Sequence, residues 1–269
     1  MSATWLDVLD SFLRIVAALV SVSVVFLLVN RGSLDAILSF AKRRAYAKKT
    51  GRSVILVTHG KRGGMFGGGM LTMADVLKVE RHLRCAKGRP VDVILTTFGG
   101  DLIAGLRLAR VLGARPNARL VVPKYAFSAG TIVAVASRAI LAAPDAMFGP
   151  IDPQIGWLFE GIHSAKDWMY AATLKGVGAK DSTIVTAQVA RRLMEEMRGY
   201  VADLVPDHVA PGPVLGLLLD ADASHARAIG PGALANVGLP IQLDECADAA
   251  HLVERSPGGV QAFILKGDR

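Results

Sequence analysis

Ser128 stands in the run VVPKYAFSAGTIVAV, where a valine-rich stretch gives way to small residues. Two chemistries suit a serine at such a junction. Its side chain can accept a backbone N–H as a helix N-cap, or it can attack a carbonyl as a nucleophile if the charge that develops on the carbonyl oxygen meets prepositioned backbone donors. A source of such donors lies upstream. ILTTFGGDLIAGL places Gly99 and Gly100 at a second strand-to-helix junction, with Asp101 as the N-cap of the helix that follows. Glycine there lets backbone N–H groups come close to a ligand. A cap has no use for a second glycine turn, so the pair of turns favours the nucleophile without excluding the cap. His59 follows another strand-like run and is a further candidate for the site. Asp152, between Pro150 and Pro153, reads as a residue that shapes a substrate groove.

These turns need a scaffold that brings them together. Val54–Thr58, Val91–Thr97, Arg119–Pro123 and Ala139–Ala142 are short runs rich in Val, Ile and Leu, which reads as strands. Met73–Cys85, Leu102–Leu112 and Ala129–Arg138 fit helices between them. Alternation of this kind predicts an α/β fold with a largely parallel, buried sheet, whose ligands gather beyond the carboxyl ends of the strands. Downstream, Ser182–Val205 predicts a long amphipathic helix with Ser182 as a possible N-cap. Its stripe of Ile184, Val185, Val189, Leu193, Met197 and Val201 is expected to serve core or subunit packing, not a ligand. The glycine-rich run Arg62–Met70 lacks the lysine and hydroxyl of a phosphate loop and is expected to be a flexible loop beside the site.

The charge of the chain is local. Of its net +8, most lies between Arg31 and Arg52, where Arg31, Lys42, Arg43, Arg44, Lys48, Lys49 and Arg52 face the single acid Asp35. Immediately before this segment, Phe12–Val29 (FLRIVAALVSVSVVFLLV) carries one charge, Arg14, near its start. That length and composition predict a single membrane-spanning helix. Acidic residues before the run and Asn30-Arg31-Gly32 after it argue against a cleaved signal peptide. The basic segment then places the remainder on the cytoplasmic side. Three parts are expected: a membrane anchor over residues 1–30, a basic juxtamembrane linker over 31–52, and a catalytic domain over 53–269. The basic charge is explained without nucleic acid, two cysteines give no disulfide framework, and no cofactor or metal spacing is evident.

Taken together, TFGGD, VPKYAFSAGT, FGPIDPQIG and SHARAIGPGALANVGLP, in this order, resemble the Clp-protease-like and crotonase superfamily, most closely the membrane-bound serine dehydrogenase proteinases. The resemblance covers about Val54 to Pro240. It implies a ββα-superhelix fold, peptide-bond hydrolysis and homo-oligomeric assembly. It maps the nucleophile onto Ser128 and the oxyanion donors onto the N–H groups of Gly99 and Ala129, with Gly100 in support. The Clp peptidase subunit has a histidine where this chain has GPIDPQ and Asp152, so a lysine base, as in the signal-peptide-peptidase and stomatin-associated relatives, is expected instead. Lys166, Lys175 and Lys180 fall in the window, with Lys175 ranked before Lys180. His225 falls near the third triad member of Clp subunits, but Ala226 replaces the aspartate usual beside it. Phe98 also departs from the family, where a proline is common. The alternatives are a fold-retaining membrane scaffold without catalysis and a crotonase-like acyl-CoA enzyme, for which no glutamate pair is evident.

Overall fold

The computed structural model describes residues 5–59, 69–157, 161–221, 224, 227–254, 256 and 258–265, apart from the side chains of 5–8, 22, 24–36 and 157. Its centre is a six-stranded sheet. Strands β1 (Ser53–Thr58), β2 (Val91–Thr96), β3 (Ala118–Val122), β5 (Ile140–Ala142) and β9 (Ile241–Leu243) run parallel, and β10 (Gly259–Phe263) closes the β1 edge antiparallel. Every residue of β1 and β2 is buried, as the near-continuous Val/Ile/Leu runs require of strands covered on both faces. Full burial of one such side chain stabilises by roughly 1.5–3 kcal/mol.

Helices α2 (Met73–Cys85) and α3 (Leu102–Gly113) make the crossovers β1–β2 and β2–β3. Asp101 caps α3 as the sequence predicts, its carboxylate accepting from the Ala104 N–H at 2.8 Å. After β3 the chain enters a second, smaller layer. There β4 (Tyr125–Ala126) pairs in parallel with β6 (Met147–Phe148) and bridges to Thr97 beyond the end of β2. Helix α4 (Ala129–Val135) leads from this layer back to β5 and is wholly buried.

The remainder frames the site. A hairpin of β7 (Gln154–Trp157) and β8 (Gly161–Ser164) leads into α5 (Ala165–Lys175), which packs against α6 (Asp181–Leu204). Helices α7 (Pro211–Leu215), α8 (Pro231–Asn236) and α9 (Ala247–Glu254) complete the shell. Lys180, not Ser182, holds the N-cap position of α6. The expected apolar stripe of α6 is divided: Met197 and Val201 are buried, whereas Ile184, Val185 and Val189 are exposed.

The basic segment is not a free linker. Helix α1 (Trp5–Thr50) continues through it, and its last turns belong to the globular unit. Tyr46 and Ala47 are buried, Lys49 pairs with Asp248 at 2.5 Å, and the buried Arg43 guanidinium donates to Ser39 at 2.6 Å and to Gln261. Burial lowers the pKa of Arg43. No helix among the described residues is long and apolar enough to cross a membrane. Much of the Phe12–Val29 run, namely positions 22 and 24–29, lies outside the described side chains.

Candidate active site

Ser128 has φ 50° and ψ −113°, one of three non-glycine residues with positive φ among those described. Such a backbone costs on the order of 1–3 kcal/mol and persists only where the surroundings impose it. They do so here from both sides. Phe127 N–H donates to Thr97 O at 3.0 Å before the serine, and Gly130 N–H donates to Phe127 O at 2.8 Å after it. Ser128 does not use the N-cap chemistry that its position left open, because its hydroxyl makes no capping bond. Thr131 takes over the local bonding, donating to Ala126 O at 2.7 Å and accepting from Gly149 N–H at 3.1 Å. The second of these bonds ties the Gly-Pro-Ile-Asp-Pro segment to the serine turn.

The glycine turn lies directly against the serine. Gly99 and Gly100 have φ 129° and 157°, and a Cβ built on Gly99 would stand 3.0 Å from Ser128 Cβ and 3.5 Å from its Oγ. The turn is held by Leu71, whose N–H donates to Gly99 O at 2.8 Å and whose carbonyl accepts from Asp101 N–H at 3.0 Å. This close approach is why Gly100 carries no side chain: a Cβ there would meet Leu71 O at 2.3 Å. The Gly99 N–H donates to Thr97 Oγ1 at 3.2 Å and is therefore engaged within the turn. Gly100 N–H and Ala129 N–H have no acceptor among the described residues. The free pair of donors is thus Gly100 and Ala129, one residue displaced from the expected Gly99.

Ser128 opens into a cleft of about 250 Å³. Met70, Phe98 and Leu102 line one side, Ile151 to Gln154 another, and Leu193 and Met197 of α6 close it. Sequence periodicity assigns those last two to core or subunit packing; Met197 is in the core as expected, fully buried behind the cleft, whereas the half-buried Leu193 lines it. Phe98 also stacks on Tyr125 at 4.3 Å and faces Phe127 at 6.3 Å, forming an aromatic wall. The spacing of these aromatics around the two turns is the sequence signal that could have found it. Asp152, 4% exposed, lines the cleft and accepts from Gln154 Nε2 at 3.2 Å.

The candidate bases are distributed unevenly. Lys175 ends α5 and Lys180 precedes α6, so both sit exposed at the tip of the α5–α6 hairpin. From Lys180 to Leu193 the rise of α6 alone is about 20 Å, well beyond the reach of a lysine side chain. The structure does not bring either to Ser128. Lys166, in the first turn of α5, is half-buried and donates to Ala221 O at 2.6 Å. That turn is fastened to the cleft wall through Ala165 N–H to Pro153 O at 2.8 Å. His225 lies outside the described residues, as do residues 62–68 of the glycine-rich run. His59 is buried at the end of β1, its Nε2 3.4 Å from Asp75 Oδ2, and does not line the cleft. Among the described residues no group of His, Cys, Asp and Glu could hold a metal ion.

Two uncharacterized proteins of Methanocaldococcus jannaschii are 32% identical over 171 residues and 27% identical over 170 residues. The first match covers 61% of this chain and 58% of the relative, the second 61% and 56%, so the chain spans less than two thirds of either relative's length. Similar solved structures include the membrane-bound stomatin-specific protease 1510-N, with 16% identity, a TM-score of 0.48 and coverage of 70% of this chain and 80% of that one. ClpP1 from Listeria monocytogenes is 14% identical with a TM-score of 0.43, covering 71% and 91%. A family model matches residues 7–254, and the chain belongs to the ClpP-like SDH-type serine proteinases.

Proposed function

We propose that this chain is a membrane-anchored serine endopeptidase in which Ser128 is the nucleophile and the N–H groups of Gly100 and Ala129 form the oxyanion hole. The observation that carries the reading is the strained Ser128, uncapped and packed against a glycine turn that has a free donor. Ser128 Oγ attacks the scissile carbonyl carbon as its proton passes to a base, and the two N–H groups receive the charge on the carbonyl oxygen. Collapse expels the amine, which takes the proton, and water then releases the acyl group by the same route.

A lysine of the α5–α6 hairpin is the base in this reading, and desolvation is what brings a lysine into range. Lys166 stands nearest in the fold to the cleft wall, its turn of α5 being tethered there through Ala165 and Pro153. Lys175 and Lys180 require the hairpin to rearrange or a neighbouring copy to deliver them. Homo-oligomeric assembly is part of the proposal: Tyr170, Leu174, Val177 and Val185 leave an apolar surface exposed on this hairpin. The anchor rests on the apolar run in the sequence and on α1 exposing Phe12, Leu13, Ile15, Leu19 and Val20 along one broad face. With the positive residues following the run, the catalytic domain is cytoplasmic.

A second reading, a tethered scaffold that keeps the fold without turnover, draws on the exposure of Lys175 and Lys180. Hydrolysis of a fluorogenic peptide library by the detergent-solubilised full chain separates the two. The peptidase reading expects turnover that is lost in Ser128→Ala and in one of Lys166→Ala, Lys175→Ala or Lys180→Ala. A folded, oligomeric wild type without turnover favours the scaffold.

A further inference from the structure

The direction in which α1 docks fixes which end of the sheet confronts the membrane. Tyr46 Oη donates to Asp92, which pairs with Val54 near the amino end of β1. Seven residues upstream, Ser39 donates to Gln261, which pairs with Leu56 two positions further along β1. Helix α9 gives the same direction independently. Its Asp248 binds Lys49, its His251 lies 3.0 Å from Lys42, and its Glu254 pairs with Lys124 beyond the carboxyl end of β3. Helix α1 therefore runs antiparallel to β1, and followed upstream from Thr50 it leaves the domain at the carboxyl ends of the strands. That is the pole at which the two glycine-bearing turns and Ser128 sit.

Only residues 30–36 separate this exit from the apolar run that ends at Val29. As helix they span about 10 Å, and even fully extended no more than about 25 Å. The catalytic pole consequently cannot turn far from the bilayer. Its surface is suited to that position: Met70 and Phe98 of the cleft wall are 55% and 62% exposed, Ile103 in the first turn of α3 is 59% exposed, and Ile37, Leu38 and Phe40 are exposed on α1.

We propose that the Ser128 cleft faces the bilayer and takes extended, apolar polypeptide segments close to the point where they leave the membrane. The proposal rests on the anchor reading above and adds orientation and substrate class to it.

The test uses the full chain in phosphatidylcholine vesicles that carry a headgroup-attached spin-label quencher. Cys85 is exposed at the far end of α2, at the amino-end pole, and Cys246 is buried, so a thiol-reactive fluorophore reports on Cys85 in the native chain. The same fluorophore placed by Cys85→Ser with Ile103→Cys reports on the catalytic pole. The expected result is quenching at least threefold stronger at position 103 than at Cys85. Equal quenching, or stronger quenching at Cys85, overturns the orientation. Flotation of the protein with the vesicles is scored separately: failure to float removes the anchor and the proposal with it, whereas flotation with inverted quenching removes only the proposal. Neither readout requires catalysis. Single-span reporter substrates with the cleavable segment 5 or 40 residues from the bilayer test the substrate class. At least tenfold faster cleavage of the proximal segment is expected, and equal rates overturn it.

Discussion

The two ends of the central sheet are built on opposite electrostatic terms. At the amino end, the fully buried Asp92 accepts from Arg52 at 2.5 Å, Arg119 at 2.8 and 3.0 Å and Tyr46 at 2.8 Å, joining α1, β1, β2 and β3. The carboxylate of Asp92 is answered on both oxygens. Arg119 is held above its ordinary pKa by its bond to the carboxylate, and Tyr46 is raised by burial and by the same neighbour. At the carboxyl end, two peptide N–H groups have no acceptor among the described residues and a serine is held in strained backbone. A larger hollow of about 370 Å³ exists at the amino end, lined by Arg89, Arg115 and Asn117 among others, but no nucleophile or carboxylate borders it. The completed bonding around Asp92 holds the elements of one end together, and the donors left without an acceptor beside Ser128 are what the other end can offer to something else.

Substitutions can break this contrast, and the largest effect belongs to the nucleophile. Ser128→Ala is expected to lower kcat/KM by about 10⁴-fold or more while leaving the melting temperature unchanged within error, as measured by peptide hydrolysis and calorimetry on the same preparation. Next is the glycine turn. Gly100→Ala forces a Cβ into the Leu71 backbone, and displacement of the donor is expected to cost roughly 10²–10³-fold in kcat. Gly88, at the opposite end, has φ 77°, and a Cβ added there would meet nothing within 4 Å, so Gly88→Ala is expected to cost about 1–2 kcal/mol of stability with kcat unchanged. A similar loss of activity in both variants would erase the distinction between the ends.

Asp92→Asn inverts the pattern. Removing one partner from a buried ion cluster is expected to cost about 3–5 kcal/mol, read as a fall in the urea midpoint, with kcat/KM of the folded fraction within twofold of wild type. The smallest effect concerns His59, whose pKa is lowered by burial despite Asp75 nearby. A depressed folded pKa means that the unfolded chain binds the proton more readily. The stability it contributes is fully present above the unfolded value of 6.5 and is lost as pH falls from there through the folded value. The slope should not exceed about 1.4 kcal/mol per pH unit for this one proton, and urea titrations at pH 7 and pH 5 should show it flattened in His59→Asn.

The parallel sheet was legible because its strands are buried on both faces and read as short unbroken Val/Ile/Leu runs between helices. The two turns were legible because glycine and a lone serine mark conformations that other residues avoid. What escaped was decided by tertiary contact. The engaged donor at Gly99 depends on the Thr97 hydroxyl, two residues away but meaningful only once the turn is closed. Leu193 looks like core by periodicity, and only the packing of α6 over the serine turn makes it a cleft wall. The last turns of α1 read as a charged linker because their partners, Asp248, Gln261 and Asp92, lie far along the chain. Sequence spacing likewise gave no measure of how far the α5–α6 hairpin carries Lys175 and Lys180 from the site.

The most direct test of the central claim is fluorophosphonate labelling of the detergent-solubilised full chain, with the modified residue located by mass spectrometry. The account predicts covalent modification of Ser128, abolished in Ser128→Ala and weakened in Gly100→Ala but retained in Asp92→Asn. Labelling at another residue, or none on a folded wild type, would contradict it.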